Sequence, residues 1–238
     1  MNQTTDTAVI ENFWQIADIT KMTESYKIDQ DLLRLRTTSL EELKRIFIQY
    51  RFFTLYYIED LALLTAKLPF GALKSTLAEF LNEELGNGNE RHAHPRLYDD
   101  FLYSLGITTE EIEQSNQECI QVLKTVQDSL REKTWDYGVG LRGMGGECLC
   151  QIYLSSMYEH FIQNPEIQAL KPKLAWTFWN IHIGDVDIEH RERTRAAISQ
   201  LIRDQPETIT NLQAGYLQSK EAWDVFWKNI FKSGFYGN

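Results

Sequence analysis

Glycine and proline punctuate this chain instead of interrupting it. There are 5 prolines and 13 glycines in 238 residues. Nearly all the prolines fall between stretches whose apolar side chains recur at helical spacing, which predicts an all-α chain. A first short helix is expected over residues 9–19, then a loop to about Thr38. Ser39 can cap a long helix, with Glu42 at the capping-box position. That helix runs to Lys67 and ends near Pro69. Its middle is aromatic: Phe47, Tyr50, Phe52, Phe53, Tyr56 and Tyr57. Further helices are expected over 72–85, closed by Gly86-Asn87-Gly88; over 95–105; from Thr108 or Thr109 to about Lys133; over 138–163; as one long helix over 172–202; and over 206–231. Residues 138–163 hold Gly138, Gly140, Gly143, Gly145 and Gly146. An interior glycine costs a helix about 1 kcal/mol against alanine, so something, a helix or a ligand, should approach this backbone closely. No repeat, low-complexity tract or linker divides the chain. One domain spanning 1–238, a bundle of about seven helices, is the economical architecture.

Composition excludes several functions. With 43% hydrophobic and 24% charged residues the chain reads as soluble and globular. A formal net charge of −10 argues against nucleic acid or an anionic membrane as partner, since phosphate binding needs clustered Lys and Arg. Residues 1–7 lack a signal-peptide pattern, and no apolar run approaches a membrane span. Cys119, Cys148 and Cys150 suggest no disulfide framework, so a reduced, cytoplasmic setting is expected. A homodimer is compatible with all of this.

The chemistry-bearing residues gather in four segments. The stretch from Trp179 to His190 holds two of the five histidines, His182 and His190, and three carboxylates, Asp185, Asp187 and Glu189. Residues 83–94 place Glu83 and Glu84 at a helix end and His92 and His94 beyond the glycine turn. Glu147 lies mid-helix among small and apolar neighbours, where an ionised carboxylate is costly without a partner. Glu59 raises the same question in the aromatic helix. Imidazole with carboxylate suits Fe(II) or Mn(II) and does not select Zn or Cu(I). A lone Glu or His on a helix is more often solvated or hydrogen-bonded than ligating, and His160 is read that way. Together, the segments could converge on a pair of metals in a bundle core. The Glu-x-x-His pairs of ferritin-like proteins are absent.

In combination these segments resemble the haem-oxygenase-like di-iron oxidases. The family's Glu-x-Gly-x-Gly, with a His ten residues after the Glu, is matched by Glu84 to His94. Its Glu in a small-residue helix is matched by Glu147. Its His-x3-Asp-x2-His is matched in its second half by Asp187 and His190. His182 departs from it, lying five residues before Asp187 instead of four. A π-bulge at Gly184 would restore a shared face; alternatively Asp185 replaces Asp187. The resemblance covers about residues 40–205. It implies a single haem-oxygenase-like bundle and a ligand set of Glu84, His94, Glu147, His182, Asp187 and His190, with Glu59 optional. It also implies two Fe(II) ions, O2 as co-substrate and, in some reactions, an external reductant.

The family's reactions include N-oxygenation of amines and oxidative C–C cleavage of fatty acids or amino acids. One member of similar size and aromatic content, a nitrile synthase of natural-product biosynthesis, turns a halogenated tryptophan into an indole-3-carbonitrile by oxidative rearrangement with C–C and C–N cleavage. A small amino-acid-like substrate is therefore expected, with a fatty acid as the other class. Phe52, Phe53, Tyr56, Tyr57, Gly143 and Gly146 could shape a pocket for a flat apolar group. Arg142 could meet a substrate carboxylate, although a surface cation is the plainer reading of it. Two other functions compete: a thiaminase-II-like, cofactor-independent hydrolase with Cys148 or Cys150 as nucleophile, and a helical binding protein whose acids are merely solvated.

Overall fold

The computed structural model describes residues 3–236, apart from the side chains of residues 3–6, 148, 185–187 and 236. It is all-α. In chain order the helices are α1 (Gln3–Trp14), α2 (Ile19–Lys27), α3 (Gln30–Arg34), α4 (Leu40–Lys67), α5 (Ala72–Glu84), α6 (His94–Ser104), α7 (Thr109–Ile112), α8 (Gln117–Glu132), α9 (Trp135–Gly138), α10 (Gly145–Phe161), α11 (Pro165–Leu170), α12 (Thr177–His182), α13 (Asp185–Asp204) and α14 (Ile209–Tyr236). A π-helical segment, Val139–Met144, joins α9 to α10. No helix among the described residues is long and apolar enough to cross a membrane.

The helix α4 forms as its sequence predicts. The Ser39 side chain accepts from the Glu42 backbone N–H, and the Glu42 carboxylate returns to the Ser39 backbone N–H. Along α4, Phe47, Tyr50, Phe53 and Tyr57 are buried, and the first three meet rings from elsewhere: Phe47 meets Phe101 and Phe161, Tyr50 stacks on Trp227, and Phe53 packs on Trp223. Such aromatic contacts contribute about 0.5–1.5 kcal/mol each beyond area burial. The chain thus wraps α5, α6, α8, α10 and α14 around α4.

Among the glycines of 138–163, Gly140 serves a helix crossing. A Cβ on Gly140 would lie 2.0 Å from the Leu212 carbonyl oxygen, and one on Gly215 would lie 2.1 Å from the Tyr137 oxygen. Here α14 lies directly on the π-helical backbone, and only glycine on both sides lets it do so.

Three expected elements differ from the structure. The loop before Thr38 contains α2 and α3, capped by Asp18 and Asp29. The single helix expected from Thr108 or Thr109 to Lys133 is α7 and α8, because Asn116 starts a new helix by accepting from Glu118 N and Cys119 N. The long helix of 172–202 is broken: Lys171–Lys173 is a 3-10 turn, α12 ends at His182, and Gly184 is extended at φ −96°, ψ −165°. Gly184 therefore breaks the helix where a π-bulge was expected, and the π-turn lies at Val139–Met144 instead. These short helices raise the count well above seven.

Candidate metal centre

One carboxylate and two imidazoles meet where α5, α6 and α12 end or begin. Glu84 is the last residue of α5. Gly86 then turns the chain at φ 84°, where a Cβ would lie 2.2 Å from the Asn89 carbonyl oxygen, so only glycine fits. Asn87 closes the turn through its backbone N–H to the Asn82 carbonyl (2.8 Å) and its side-chain oxygen to Asn82 Nδ2 (2.7 Å). The turn returns His94 to the start of α6, with Nδ1 2.9 Å from Glu84 Oε2. His182 arrives at the C-terminus of α12. Its ring stacks on Phe178 at 4.0 Å and meets the His94 ring edge-on at 4.7 Å. One ligating atom from each of Glu84, His94 and His182 lies within 4.8 Å of the others.

A second cluster adjoins it. His190, on α13, has Nε2 2.7 Å from Glu83 Oε2 and Nδ1 3.6 Å from Glu147 Oε2. Its ring stacks on Phe80 at 4.2 Å. Glu147, in the first turn of α10, accepts a short hydrogen bond from the Tyr57 hydroxyl at its other oxygen, Oε1. Gly146 makes this contact possible, because a Cβ there would lie 2.5 Å from the Tyr57 ring. Arg191 holds α13 to α10 through Gln151 (3.0 Å), and Arg193 holds it to α5 through Glu79.

The electrostatics separate the histidines. Burial drives the His182 pKa down to about 3, helped by His94, so this ring is neutral. Its Nδ1 is 2.8 Å from the Phe178 carbonyl and must donate to it, which leaves Nε2 with a free lone pair. Burial also opposes charge on His190, but the charges of the Glu147 and Glu83 carboxylates, with the hydrogen bond to Glu83, outweigh it and raise the pKa to about 9. In His94 the burial penalty is outweighed by Glu84, and its pKa is raised. Burial, then the charge of Glu147, pushes the Tyr57 phenol well above its ordinary range, so it remains a donor.

The other predicted site residues lie elsewhere or play other parts. Glu59 is exposed and accepts from Gln127 Nε2 at 3.0 Å, so it does not join the cluster. Arg142 is neither a surface cation nor open to a substrate. It is 2% exposed and pairs with the fully buried Asp60, with Nε to Oδ2 at 2.7 Å. Phe52 is buried, Tyr56 half-buried, and Phe53 is enclosed by Tyr50, Tyr57, Trp223 and Phe226. Only about 10 Å³ remains beside Phe53 and Arg142, roughly room for one water. These rings and Gly146 fill space where a substrate pocket was expected, and Gly143 faces Val139 and Leu77. The side chains of Asp185, Asp187 and Cys148 lie outside the described residues. The space beside the cluster is a groove of about 380 Å³ lined by Glu83, Gly86, Asn87, His92, His94, Leu97, Thr177 and Ile181. Sequence reasoning placed Glu83 at the helix end but gave it no part in the site, and it assigned Tyr57 to a pocket wall. The pairing of Tyr57 with Gly146 was the available clue to its contact with Glu147.

The donors fit a hard or borderline divalent metal. His94 Nδ1 is buried and sits beside the Glu84 carboxylate without the alignment of a hydrogen bond. That orphaned donor, the free Nε2 of His182 and a carboxylate oxygen are what imidazole–carboxylate coordination of iron or manganese uses.

Residues 44–224 match the model of a family described as iron-containing redox enzyme. No curated protein matches the chain. A solved structure of a CADD-like protein of unknown function from Nostoc punctiforme PCC 73102 superposes with a TM-score of 0.72 at 17% identity, covering 97% of this chain and 96% of that one. A second structure of the same CADD-like protein gives 0.69 at 20% identity, over 92% and 98%. A TenA homologue from Pseudomonas syringae pv. tomato str. DC3000 gives 0.65 at 10% identity, over 93% and 92%. At these identities the likeness is one of fold, and the bundle is of the haem-oxygenase-like class.

Proposed function

From the premise that the chain belongs to the family of iron-containing redox enzymes, we propose that it is an O2-dependent non-haem di-iron oxidase acting on a small amino-acid-like substrate. The observation that carries this is the convergence of Glu84, His94 and His182 beside Glu147 and His190. Glu84, His94 and His182 would hold one Fe(II). Glu147 and His190 would hold the other, with Asp187 from the first turn of α13. Bound there, the metals would supply oxygen activation and the removal of electrons from substrate.

The chain's own residues do the rest. Phe178 fixes the His182 tautomer through its carbonyl. Phe80 and Phe178 stack on the two imidazoles and exclude water from one face of each. The groove beside His94 admits the substrate, and its 380 Å³ suits a ligand of tryptophan size. Leu97 and Ile181 offer it apolar contact; Asn87, His92 and Thr177 offer polar contact. A halogenated tryptophan converted to an indole-3-carbonitrile is the most specific form of this reading, and a fatty acid is the other class.

The thiol-hydrolase alternative has less behind it. Cys150 Sγ lies 3.7 Å from the Tyr50 hydroxyl, whose pKa burial raises well above its ordinary range, so that phenol is no base for a thiol. The test is oxygen uptake by ferrous-loaded protein, screened against tryptophan, its halogenated forms and fatty acids. About two irons per chain with substrate-dependent uptake is the expected result. Iron-loaded protein that consumes no oxygen with any of them would overturn it.

A further inference from the structure

Glu147 and His190 each have two ligating atoms, and in each one atom is already engaged. Tyr57 takes Oε1 of Glu147. Glu83 takes Nε2 of His190 at 2.7 Å. The two atoms left, Glu147 Oε2 and His190 Nδ1, face each other at 3.6 Å. That is too long for a hydrogen bond, and it is a gap that two bonds of about 2.1 Å to one ion can bridge. The Glu83 carboxylate is partly exposed at the groove and makes its hydrogen bond on the far side of the imidazole from Glu147. No single ion can take both ring nitrogens of one histidine, so Glu83 and Glu147 cannot share a metal through His190.

We infer that Glu83 and Tyr57 are positioning residues for the second metal position: Glu83 holds His190 with Nδ1 forward, and Tyr57 limits Glu147 to one oxygen. This rests on the di-iron reading and goes beyond its ligand set. A metal-bound histidine that donates its other N–H to a carboxylate has its tautomer and ring orientation fixed, and loss of such a partner costs about 10–100-fold in metal affinity. His182, at the first metal position, achieves the same with a backbone carbonyl, that of Phe178. The two are therefore built differently: side-chain substitution can release His190 but not His182. Tyr57 needs its glycine, since any side chain at 146 would push the ring from Glu147.

The test is titration of the purified full chain with Co(II), read by its d–d absorption and by bound cobalt per chain, with thermal melts to check that each variant folds. Wild type should take up two ions. Glu83→Ala should weaken the second by about 10–100-fold and leave the first unchanged. Glu83→Gln should largely restore it, because an amide oxygen still accepts from Nε2–H. Tyr57→Phe, which keeps the ring, should weaken the second ion and shift its d–d bands as Glu147 turns. If Glu83→Gln is as weak as Glu83→Ala, Glu83 is itself a ligand and the inference fails. If wild type binds two ions and Glu83→Ala and Tyr57→Phe bind them equally well, the inference fails while the di-iron reading stands. A wild-type chain that binds fewer than two overturns both.

Discussion

The two halves of the candidate centre are built by opposite means. Glu84 and His94 are ten residues apart and meet because one glycine turn folds a helix end back on the next helix start. Glu147 and His190 come from different helices, and nothing local brings them together. Their approach depends on the π-turn before α10, on Gly146 yielding to Tyr57, and on α13 being tied to α5 and α10. Glu84 and His94 share one turn and should fail locally, while α12 brings in His182. The second half is a product of packing and should fail with its surroundings.

The largest effect tests that dependence. Asp60 is fully buried and paired with Arg142, which sits inside the π-turn. Removing one partner of such a pair strands a buried charge and costs about 3–5 kcal/mol. Asp60→Ala should therefore lower the denaturant midpoint sharply. In protein that still folds, it should weaken the ion at Glu147 and His190 more than the ion at Glu84, His94 and His182. Equal loss at both would erase the distinction.

Acidity separates the halves next. In metal-free protein His182 titrates near 3, below the unfolded value of about 6.5. Its contribution is complete above pH 6.5 and is lost as pH falls toward 3. His190 titrates near 9. Its contribution is complete below pH 6.5 and is lost as pH rises through 9. Chemical denaturation across pH should give a maximum near neutrality. His182→Gln should flatten the acid limb, and His190→Gln should reduce the alkaline limb, to which His94 also contributes.

Two glycine substitutions of smaller expected cost form a cross-test. Gly86→Ala forces a side chain into a left-handed turn against Asn89, and Gly146→Ala drives one into the Tyr57 ring. Each should cost about 1–3 kcal/mol. The first should abolish uptake at Glu84 and His94 while sparing the second ion, and the other should do the reverse. Metal stoichiometry and thermal melts on both variants read this directly.

That contrast also explains what was legible in the sequence. Ser39 with Glu42, and Glu84 with Gly86 and His94, are local patterns whose physics acts within a turn or two, and the structure contains the capping box and the turn they imply. Glu59 misled because only its helix was legible, not its face. Tyr57 points at Glu147, and a residue two further on is turned about 200° away. Arg142 misled because its partner is 82 residues distant. Gly184 was read as a bulge because a single residue's φ and ψ decide between a bulge and a break, and neighbouring chain sets them. The aromatic stretch fitted both a pocket and a core; the rings that α6, α10 and α14 bring against it show that it is core.

The smallest effect asks how far the packed half reaches. Ser39 caps α4 at one end and Tyr57 lies about five turns along the same helix. Ser39→Ala removes a cap contributing about 1 kcal/mol, and its loss should fray only the first turn, because the middle of α4 is held by Phe47, Tyr50 and Phe53 against other helices. Thermal stability should fall slightly and both ions should bind as in wild type. If the second ion alone weakens, α4 transmits a distant change to Glu147 through Tyr57, and the packed half is coupled along a whole helix. Unchanged binding at both would confine its sensitivity to the residues touching Glu147 and His190.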